Sequence, residues 1–231
     1  MKSSHLSRAI LLALAMTSRQ SVLAETDIPQ DQGAAGVWQK ILKLKTTASA
    51  MHTTAQPDDE HGGVLSQLSR GQGARLSLLT LNRGESGDNA IGSELFDGLG
   101  LIRTEELMVS NRYYGVDDQY FTTVADYGFS KRLDEAFEKW GKENVLRDVV
   151  RVIRLNRPFV LISRFQGTQR DGHGNHQTAG LITNEAFKAA GTKKSPGTRL
   201  VSISGHINKP GVYEVEPGHP FREFIFDTCG G

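Results

Sequence analysis

The stretch "ARLSLLTLN", residues 74–82, is the clearest β-strand of the sequence. Leucines recur along it, and the polar, glycine-containing run "RGESGDN" follows it. A Thr/Ala-rich run before it, residues 46–54, is predicted to be another buried strand. Between them, "GGVLSQLSRGQG" predicts a helix over 63–69 that ends before Gly71. Strand, helix and strand in this order predict a βαβ unit with a right-handed crossover.

The pattern alternates in the same way further along the chain. We expect a helix over 95–110, then a short strand and turn in "NRYYGV" (111–116), then two helices within 130–158. The apolar "FVLISRF" (159–165) predicts a second inner strand, and a helix follows over 181–191. The sequence therefore predicts a three-layer α/β domain with a mainly parallel sheet.

The composition restricts the class of protein. The 231 residues include 27 Lys and Arg against 26 Asp and Glu, so the net charge is +1. This balance gives no reason to expect a nucleic-acid partner. The single cysteine, Cys229, excludes an internal disulfide, a Cys-based zinc site and an iron–sulfur cluster held by this chain alone.

The first 24 residues have the pattern of an export signal. Basic residues precede the short apolar core "AILLALAM" (9–16), and "SVLA" offers small residues before a cut after Ala24. We therefore expect an exported protein, periplasmic or secreted. A linker and a short helix are predicted over 25–45, and no later segment is apolar enough to predict a membrane span.

Two polar clusters follow predicted strands. "TTAQPDDEHGG" (53–63) follows the first strand, and "QGTQRDGHGNHQTAG" (166–180) follows the apolar run of 159–165. In open α/β sheets, sites are built beyond the carboxyl ends of the strands. Both clusters are therefore candidate site segments.

The residue types in these clusters suit a metal-dependent hydrolase. Such a zinc site takes three ligands from His, Asp and Glu, and a nearby carboxylate accepts a proton from water. Asp58 and Asp59 offer carboxylates, while His173 and His176 offer two imidazoles. The alternative is that the acids only stabilise the N-terminus of the next helix.

Four motifs, in this order, resemble the LmbE-like (PIG-L) N-deacetylases: "TTAQPDDEHGG", "LTLNRGESGDN", "LIRTEEL" and "RDGHGNHQTAG". The resemblance extends over about 51–191. It implies a Rossmann-like sheet and a zinc-dependent enzyme that removes acetyl groups from N-acetylglucosamine-type amides in sugars or glycoconjugates. The family pattern is a His-Pro-Asp-Asp-Glu loop followed by His-x-x-His.

The resemblance also implies a role for each matching residue. Asp58 would be the general base and Asp59 a zinc ligand. His176 would be a second zinc ligand, and His173 would stabilise the oxyanion that forms when zinc-bound water attacks the acetyl carbonyl. Arg103 would contact the substrate sugar.

One position departs from the family pattern. The first zinc ligand of the family is the His before Pro-Asp-Asp, and this chain has Gln56 there. An amide oxygen is a poorer zinc ligand than an imidazole. Asp59 and His176 remain, and nothing in the pattern places His52 or His61 on the metal. We therefore expect weak zinc binding and low deacetylase activity.

The last forty residues resemble a different protein. "RLVSISG", "NKPG", "GVYEVEPG" and "PFREFIFDTCGG" predict two strands, a turn and a short helix. They resemble the β-grasp, soluble-ligand-binding segment of the NADH-binding flavoprotein subunit of respiratory complex I. We expect an LmbE-like domain over 46–191 that stops early for its family, and a β-grasp-like fragment over 192–231.

Three functions remain open at this point. The first is the zinc-dependent deacetylase, and the second is a non-catalytic binding protein or composite fragment in which the tail binds a partner. An electron-transfer subunit ranks last, because no flavin- or NADH-binding motif precedes the tail. A natural fusion, a misassembled reading frame and an artificial chain all fit this composition, and the sequence does not specify an oligomeric state.

Overall fold

The computed structural model describes residues 31–191, 199–203, 208–209, 211–215 and 221–230. The predicted export signal lies outside the described residues. The start of the predicted linker, residues 25–30, and the start of the predicted β-grasp-like fragment, residues 192–198, also lie outside the described residues.

The described part of the chain contains the following elements in order. They are helix α1 Gly33–Leu44, strand β1 Ser49–Thr54, helix α2 Gly62–Ser66 with a π-helical turn Gln67–Gly71, strand β2 Arg75–Thr80, helix α3 Asp97–Tyr114, strand β3 Asp118–Phe121, helix α4 Leu133–Trp140, helix α5 Lys142–Asn156, strand β4 Val160–Ser163, a 3-10 turn Gln169–Asp171 and helix α6 Gly174–Ala190. In the tail they are strand β5 Arg199–Ile203, strand β6 Gly211–Val215 and helix α7 Phe221–Glu223 with a π-helical turn Phe224–Thr228.

The first four strands form one parallel sheet in the order β3-β2-β1-β4. This confirms the predicted βαβ unit and the α/β, Rossmann-like fold. Side chains of β1 and β2 alternate between two apolar clusters. Met51 and Leu79 pack with α4, α5 and α6, whereas Ala50 and Leu76 pack with Leu65 of α2. Helices therefore cover both faces of the sheet.

The prediction that residues 159–165 form an inner strand is wrong. Strand β4 lies at the edge of the sheet and pairs with β1. Its apolar composition has a different cause, because Leu161 and Ile162 point to opposite faces and each joins one of the two apolar clusters. Val160, at the start of the strand, is half exposed.

The prediction of a strand and turn over 111–116 is also wrong. Helix α3 continues to Tyr114, which packs against the second apolar cluster, and ends at Gly115 with a φ of 80°. Glycine adopts this left-handed conformation at low cost. The buried side chain of Asn111 donates to Gln119 of β3 at 2.8 Å, so the strand itself begins later.

The order of the strands positions the site. From β1 the chain proceeds to β2 and β3 on one side, and later returns to β4 on the other side of β1. Strands β1 and β4 are therefore neighbours whose connections leave in opposite directions, with His52 beside Ile162. Ligands of open α/β sheets bind in the crevice at such a point.

The tail contains an antiparallel hairpin of β5 and β6 and the short helix α7. The amide of Lys209 donates to the carbonyl of Cys229 at 2.9 Å, and Cys229 is buried. A hairpin and helix agree with the predicted elements, while the β-grasp identity of this segment stays a prediction. No helix in the described ranges combines the length and hydrophobicity that crossing a bilayer requires.

Candidate active site

The loop after β1, residues 55–61, is here called the acid loop. The carboxylate of Asp59 accepts the amide of Gln56 at 2.9 Å, and Glu60 accepts the amide of Asp58 at 3.0 Å. Asp58 has a φ of 93°, a conformation that is costly for a residue with a Cβ. Such strain is concentrated at functional sites, where the surrounding contacts maintain it.

Arg103 of α3 fixes the outer part of the acid loop. Its guanidinium donates to the Asp58 carboxylate at 2.7 Å and to the Pro57 carbonyl at 2.6 Å. The loop after β2 leaves space for it, because a Cβ on Gly84 or Gly87 would overlap the guanidinium. Only 14% of the Arg103 side chain is exposed. Arg103 therefore both holds the acid loop in place and forms part of the wall of the site.

The loop before α6, residues 166–176, is here called the histidine loop. The Asp171 carboxylate accepts the amides of Gln166, Gly167 and Thr168 at 3.1, 2.7 and 2.9 Å, which closes a capping box with Thr168. The ring of Phe165 stacks on His176 with centroids 4.2 Å apart. The first part of the loop, residues 166–171, is therefore held by hydrogen bonds within the loop itself.

The two loops meet at Asp59 and His176. The carbonyl of Asp171 accepts from Nδ1 of His176 at 3.2 Å, so the neutral ring has a lone pair on Nε2. That nitrogen is buried without a hydrogen-bond donor and lies 3.3 Å from Oδ1 of Asp59. Two acceptors face each other at this distance only when a proton or a cation lies between them.

Burial controls the protonation of this pair. It raises the pKa of the Asp59 carboxyl to about 7. The negative charges of Asp58 and Glu60 also raise this pKa, whereas the hydrogen bond from the Gln56 amide lowers it. Burial also lowers the pKa of His176. Near neutral pH the site therefore favours either a shared proton or a bound cation at Asp59 and His176.

His173 faces the cavity from the start of α6. Its Nδ1 accepts the amide of Asn175 at 3.3 Å, so the proton of the neutral ring is on Nε2. Burial lowers its pKa, and the charge of His176 acts in the same direction. The ring centroids of His173 and His176 are 5.1 Å apart. His173 thus offers a neutral N–H donor beside His176.

A cavity of about 790 Å³ opens beside these loops. Its walls come from the acid loop, the loop after β2, helix α3, the loop before α4 and His173. The polar residues of the lining are Gln56, Asp58, Glu60, Ser86, Asp88, Asn89, Glu94, Arg103, Glu106, Ser110, Asp126 and His173.

The residues present provide part of a zinc site. The facing acceptors of Asp59 and His176 suit a cation, and Gln56 adds only an amide. Within the described ranges, no group of three or more His, Cys, Asp and Glu side chains is arranged to hold a metal ion. The ring nitrogens of His52 contact the Ile162 carbonyl and the His61 amide, and His61 itself caps α2.

The structure brings together Asp58, Asp59, His173 and His176, the residues that the sequence analysis selected from the two clusters. It places Arg103 against Asp58. Other residues at the site were not predicted: Asp126, Phe129 and Asp171. A signal existed for Asp171, because Thr168-x-x-Asp171 has the spacing of a capping box.

Comparison with known proteins agrees with this fold. A solved structure of the N,N'-diacetylchitobiose deacetylase from Pyrococcus horikoshii matches with a TM-score of 0.51 and 18% identity, over 74% of this chain and 64% of that one. GalB, a 4-carboxy-2-hydroxymuconate hydratase from Pseudomonas putida, matches with a TM-score of 0.51 and 21% identity, over 80% of this chain and 69% of that one. At these identities the likeness establishes the fold alone.

Curated relatives match a short stretch only. The mitochondrial NADH dehydrogenase (ubiquinone) flavoprotein 1 of Dictyostelium discoideum is 47% identical over 45 residues, which is 20% of this chain and 9% of that protein. The NAD-reducing hydrogenase HoxS subunit alpha of Cupriavidus necator is 51% identical over 39 residues, 17% of this chain and 6% of that protein. The chain thus spans less than a tenth of the length of these two relatives.

The family assignment rests on a longer match. The model of the PIG-L family, described as GlcNAc-PI de-N-acetylase, matches residues 51–187, more than half of the chain. This range contains both loops, strands β2 to β4, most of β1 and the residues that line the cavity. The chain therefore belongs to the PIG-L family.

Proposed function

We propose that this protein is a zinc-dependent hydrolase that removes the acetyl group from N-acetylated amino sugars or glycoconjugates. The observation that carries the proposal is the facing pair of Asp59 and His176 at 3.3 Å, with Asp58 and His173 beside it at the cavity. Family membership supports the reaction class, and the name of the chitobiose deacetylase supports the substrate class.

Hydrolysis of an amide needs a base for the attacking water and a donor for the oxyanion. Asp58 lines the cavity, and Arg103 holds one of its oxygens while the other oxygen accepts the proton of water. His173 donates its Nε2–H to the carbonyl oxygen as negative charge develops there. A zinc ion held by Asp59 and His176 would polarise the acetyl carbonyl and favour deprotonation of water.

Acetate release from N,N'-diacetylchitobiose tests this proposal. We expect the full chain with added zinc to release acetate, and Asp58→Asn to lower kcat about 100-fold or more because the base is lost. Asp118→Asn is the matched control, because Asp118 begins β3 at the opposite end of the strands. Absence of acetate from any N-acetylated amino sugar, or an unchanged kcat in Asp58→Asn, would overturn the proposal.

A non-catalytic binding protein is the second candidate. The observation in its favour is Gln56, together with the lack of a three-donor metal group within the described ranges. This candidate predicts that the chain binds the disaccharide, releases no acetate with zinc present, and gains no activity in Gln56→His.

Two further proposals concern the ends of the chain. We propose that the protein is exported, so that the N-terminus of the exported form is Glu25; an intact Met1 in the cytoplasmic fraction would contradict this.

We also propose that residues 192–231 form a β-grasp-like segment separate from the domain over 46–191. The resemblance of "GVYEVEPG" and "PFREFIFDTCGG" to the complex I flavoprotein segment supports this proposal, and preferential proteolysis between 191 and 199 would test it.

A further inference from the structure

Phe129 exposes its aromatic ring in the wall of the cavity. Its exposed fraction is 78%, although it lies beside the site. The ring contacts His173 edge to face, with centroids 5.2 Å apart and planes at 66°. An apolar ring in this position is available to a ligand that enters the cavity.

The backbone on the N-terminal side of Phe129 is fixed. The carbonyl of Asp126 accepts the hydroxyl of Ser86 at 2.8 Å. The Asp126 carboxylate accepts the amide of Gly128 at 3.1 Å and the side chain of Asn175 at 2.9 Å. Gly128 has a φ of 98°, a turn that glycine adopts readily and that directs the next residue away from the core.

The backbone on the C-terminal side is fixed as well. The carbonyl of Ser130 accepts the amide of Gly174 at 2.7 Å, and the Ser130 hydroxyl donates to Glu135 at 2.6 Å. Ser130 is buried. The exposed ring therefore projects from a backbone that is anchored on both sides, so a ligand that covers it finds a preformed surface.

The groups around the ring indicate which ligand would cover it. The cavity wall combines apolar surface with six carboxylates: Asp58, Glu60, Asp88, Glu94, Glu106 and Asp126. A sugar ring has an apolar face of C–H groups and an edge of hydroxyl donors. One aromatic face among many carboxylate acceptors complements both parts, whereas an acyl chain would bury carboxylates without partners.

We propose that Phe129 is a substrate-binding platform on which the apolar face of the amino sugar stacks. This inference rests on the proposed deacetylase function and adds a residue that would bind the sugar ring of its substrate. Because the Phe129 ring adjoins His173, a sugar stacked on Phe129 brings its acetamido substituent to the N–H donor of His173.

Isothermal titration of the full chain with N,N'-diacetylchitobiose tests the platform without turnover as the readout. We expect Phe129→Ala to weaken binding about tenfold, since an aromatic stack is lost. Phe129→Tyr should bind as the wild type does. Phe159→Ala is the matched control, because Phe159 is a half-exposed phenylalanine at the opposite end of β4. Circular dichroism verifies that each variant is folded.

A second measurement separates this inference from the proposed function. N-acetylethanolamine has the same amide and no sugar ring, so Phe129→Ala should slow hydrolysis of the disaccharide by a clearly larger factor than hydrolysis of the small amide, and the ratio of the two factors is the readout. Disaccharide binding that depends on Phe129, without acetate release, would overturn the deacetylase and retain the platform. Undetectable binding by the wild type, equal affinities of wild type and Phe129→Ala, or equal weakening in Phe159→Ala would overturn the platform.

Discussion

The acid loop and the histidine loop hold their functional side chains by different means. The histidine loop is closed by its own Asp171, which accepts three amides within five residues. The acid loop depends on Arg103, which is 45 positions away from Asp58. The start of the histidine loop is therefore a local motif, while Asp58 in the acid loop, besides the bonds within that loop, depends on the docking of α3.

This difference predicts how each loop tolerates change. A substitution within the histidine loop disturbs hydrogen bonds that fold the loop itself. A substitution in the acid loop, such as glutamine at position 56, changes the chemistry of the site while the amide of Gln56 still donates to Asp59. We therefore expect stability effects from the first loop and metal or activity effects from residues 56–59 of the second.

The largest effect should follow Asp171→Ala. Removing the carboxylate replaces three hydrogen bonds within the loop by hydrogen bonds to water, a net loss of about 1 kcal/mol each, so we expect the free energy of unfolding to fall by about 2–3 kcal/mol. Denaturant unfolding followed by circular dichroism measures it. Asp171→Asn should recover part of the loss, and Asp134→Ala, which removes an exposed carboxylate that pairs with Arg132, should leave the midpoint unchanged. Equal midpoints for Asp171→Ala and wild type would refute local closure of the loop.

Gln56→His should strengthen zinc binding without changing stability of the metal-free chain. A third strong ligand joins Asp59 and His176, and we expect at least a 10- to 100-fold rise in affinity, roughly 1.4–2.7 kcal/mol. Zinc retained after dialysis, measured by elemental analysis, gives the result. Stoichiometric zinc in the wild type and no change in the variant would contradict the role assigned to this position.

Arg103→Lys should lower deacetylase activity by about tenfold. Lysine keeps the charge and loses the planar fork that reaches both Asp58 and the Pro57 carbonyl. The KM and kcat of the variant on the disaccharide should be compared with those of Arg75→Lys, whose partner Asp118 lies at the opposite end of the strands. A change in KM alone would indicate that Arg103 contacts the sugar, as the family resemblance implies, and does not position the base.

The smallest effect should follow His61→Ala. The side chain accepts the amide of Val64 at 3.3 Å as the cap of α2, and its loss should cost about 0.5–1 kcal/mol. Zinc affinity should not change in either the wild-type or the Gln56→His background. A drop in zinc affinity would show that His61 is a zinc ligand.

The sequence was sufficient to predict the sheet and the two candidate loops. The apolar run of β2 and the polar clusters after β1 and β4 are local signals, and parallel strands bring their carboxyl ends to one edge. The position of β4 at the edge was not predictable in this way, because a strand with one apolar residue on each face resembles a central strand in composition.

Partners across long distances could not be predicted either. The contact of Arg103 with Asp58 depends on where α3 docks, and the placement of Phe129 depends on Asp126 contacting Ser86 and Asn175. Residues separated by tens of positions can meet in many different folds, so their spacing in the sequence does not predict that they are in contact. Residue types therefore indicated the chemistry, while topology determined which groups meet.

Gly84 and Gly87, which lie against the Arg103 guanidinium, couple the sequence of the loop after β2 to the position of Asp58. The loop after β2 lines the cavity, so it is where changes in specificity would be introduced, by evolution or by an engineer. Yet any side chain at Gly84 or Gly87 would occupy the volume of the guanidinium that restrains Asp58. Altering the choice of substrate through these two positions would therefore disturb the proposed base, which limits how this loop can diversify.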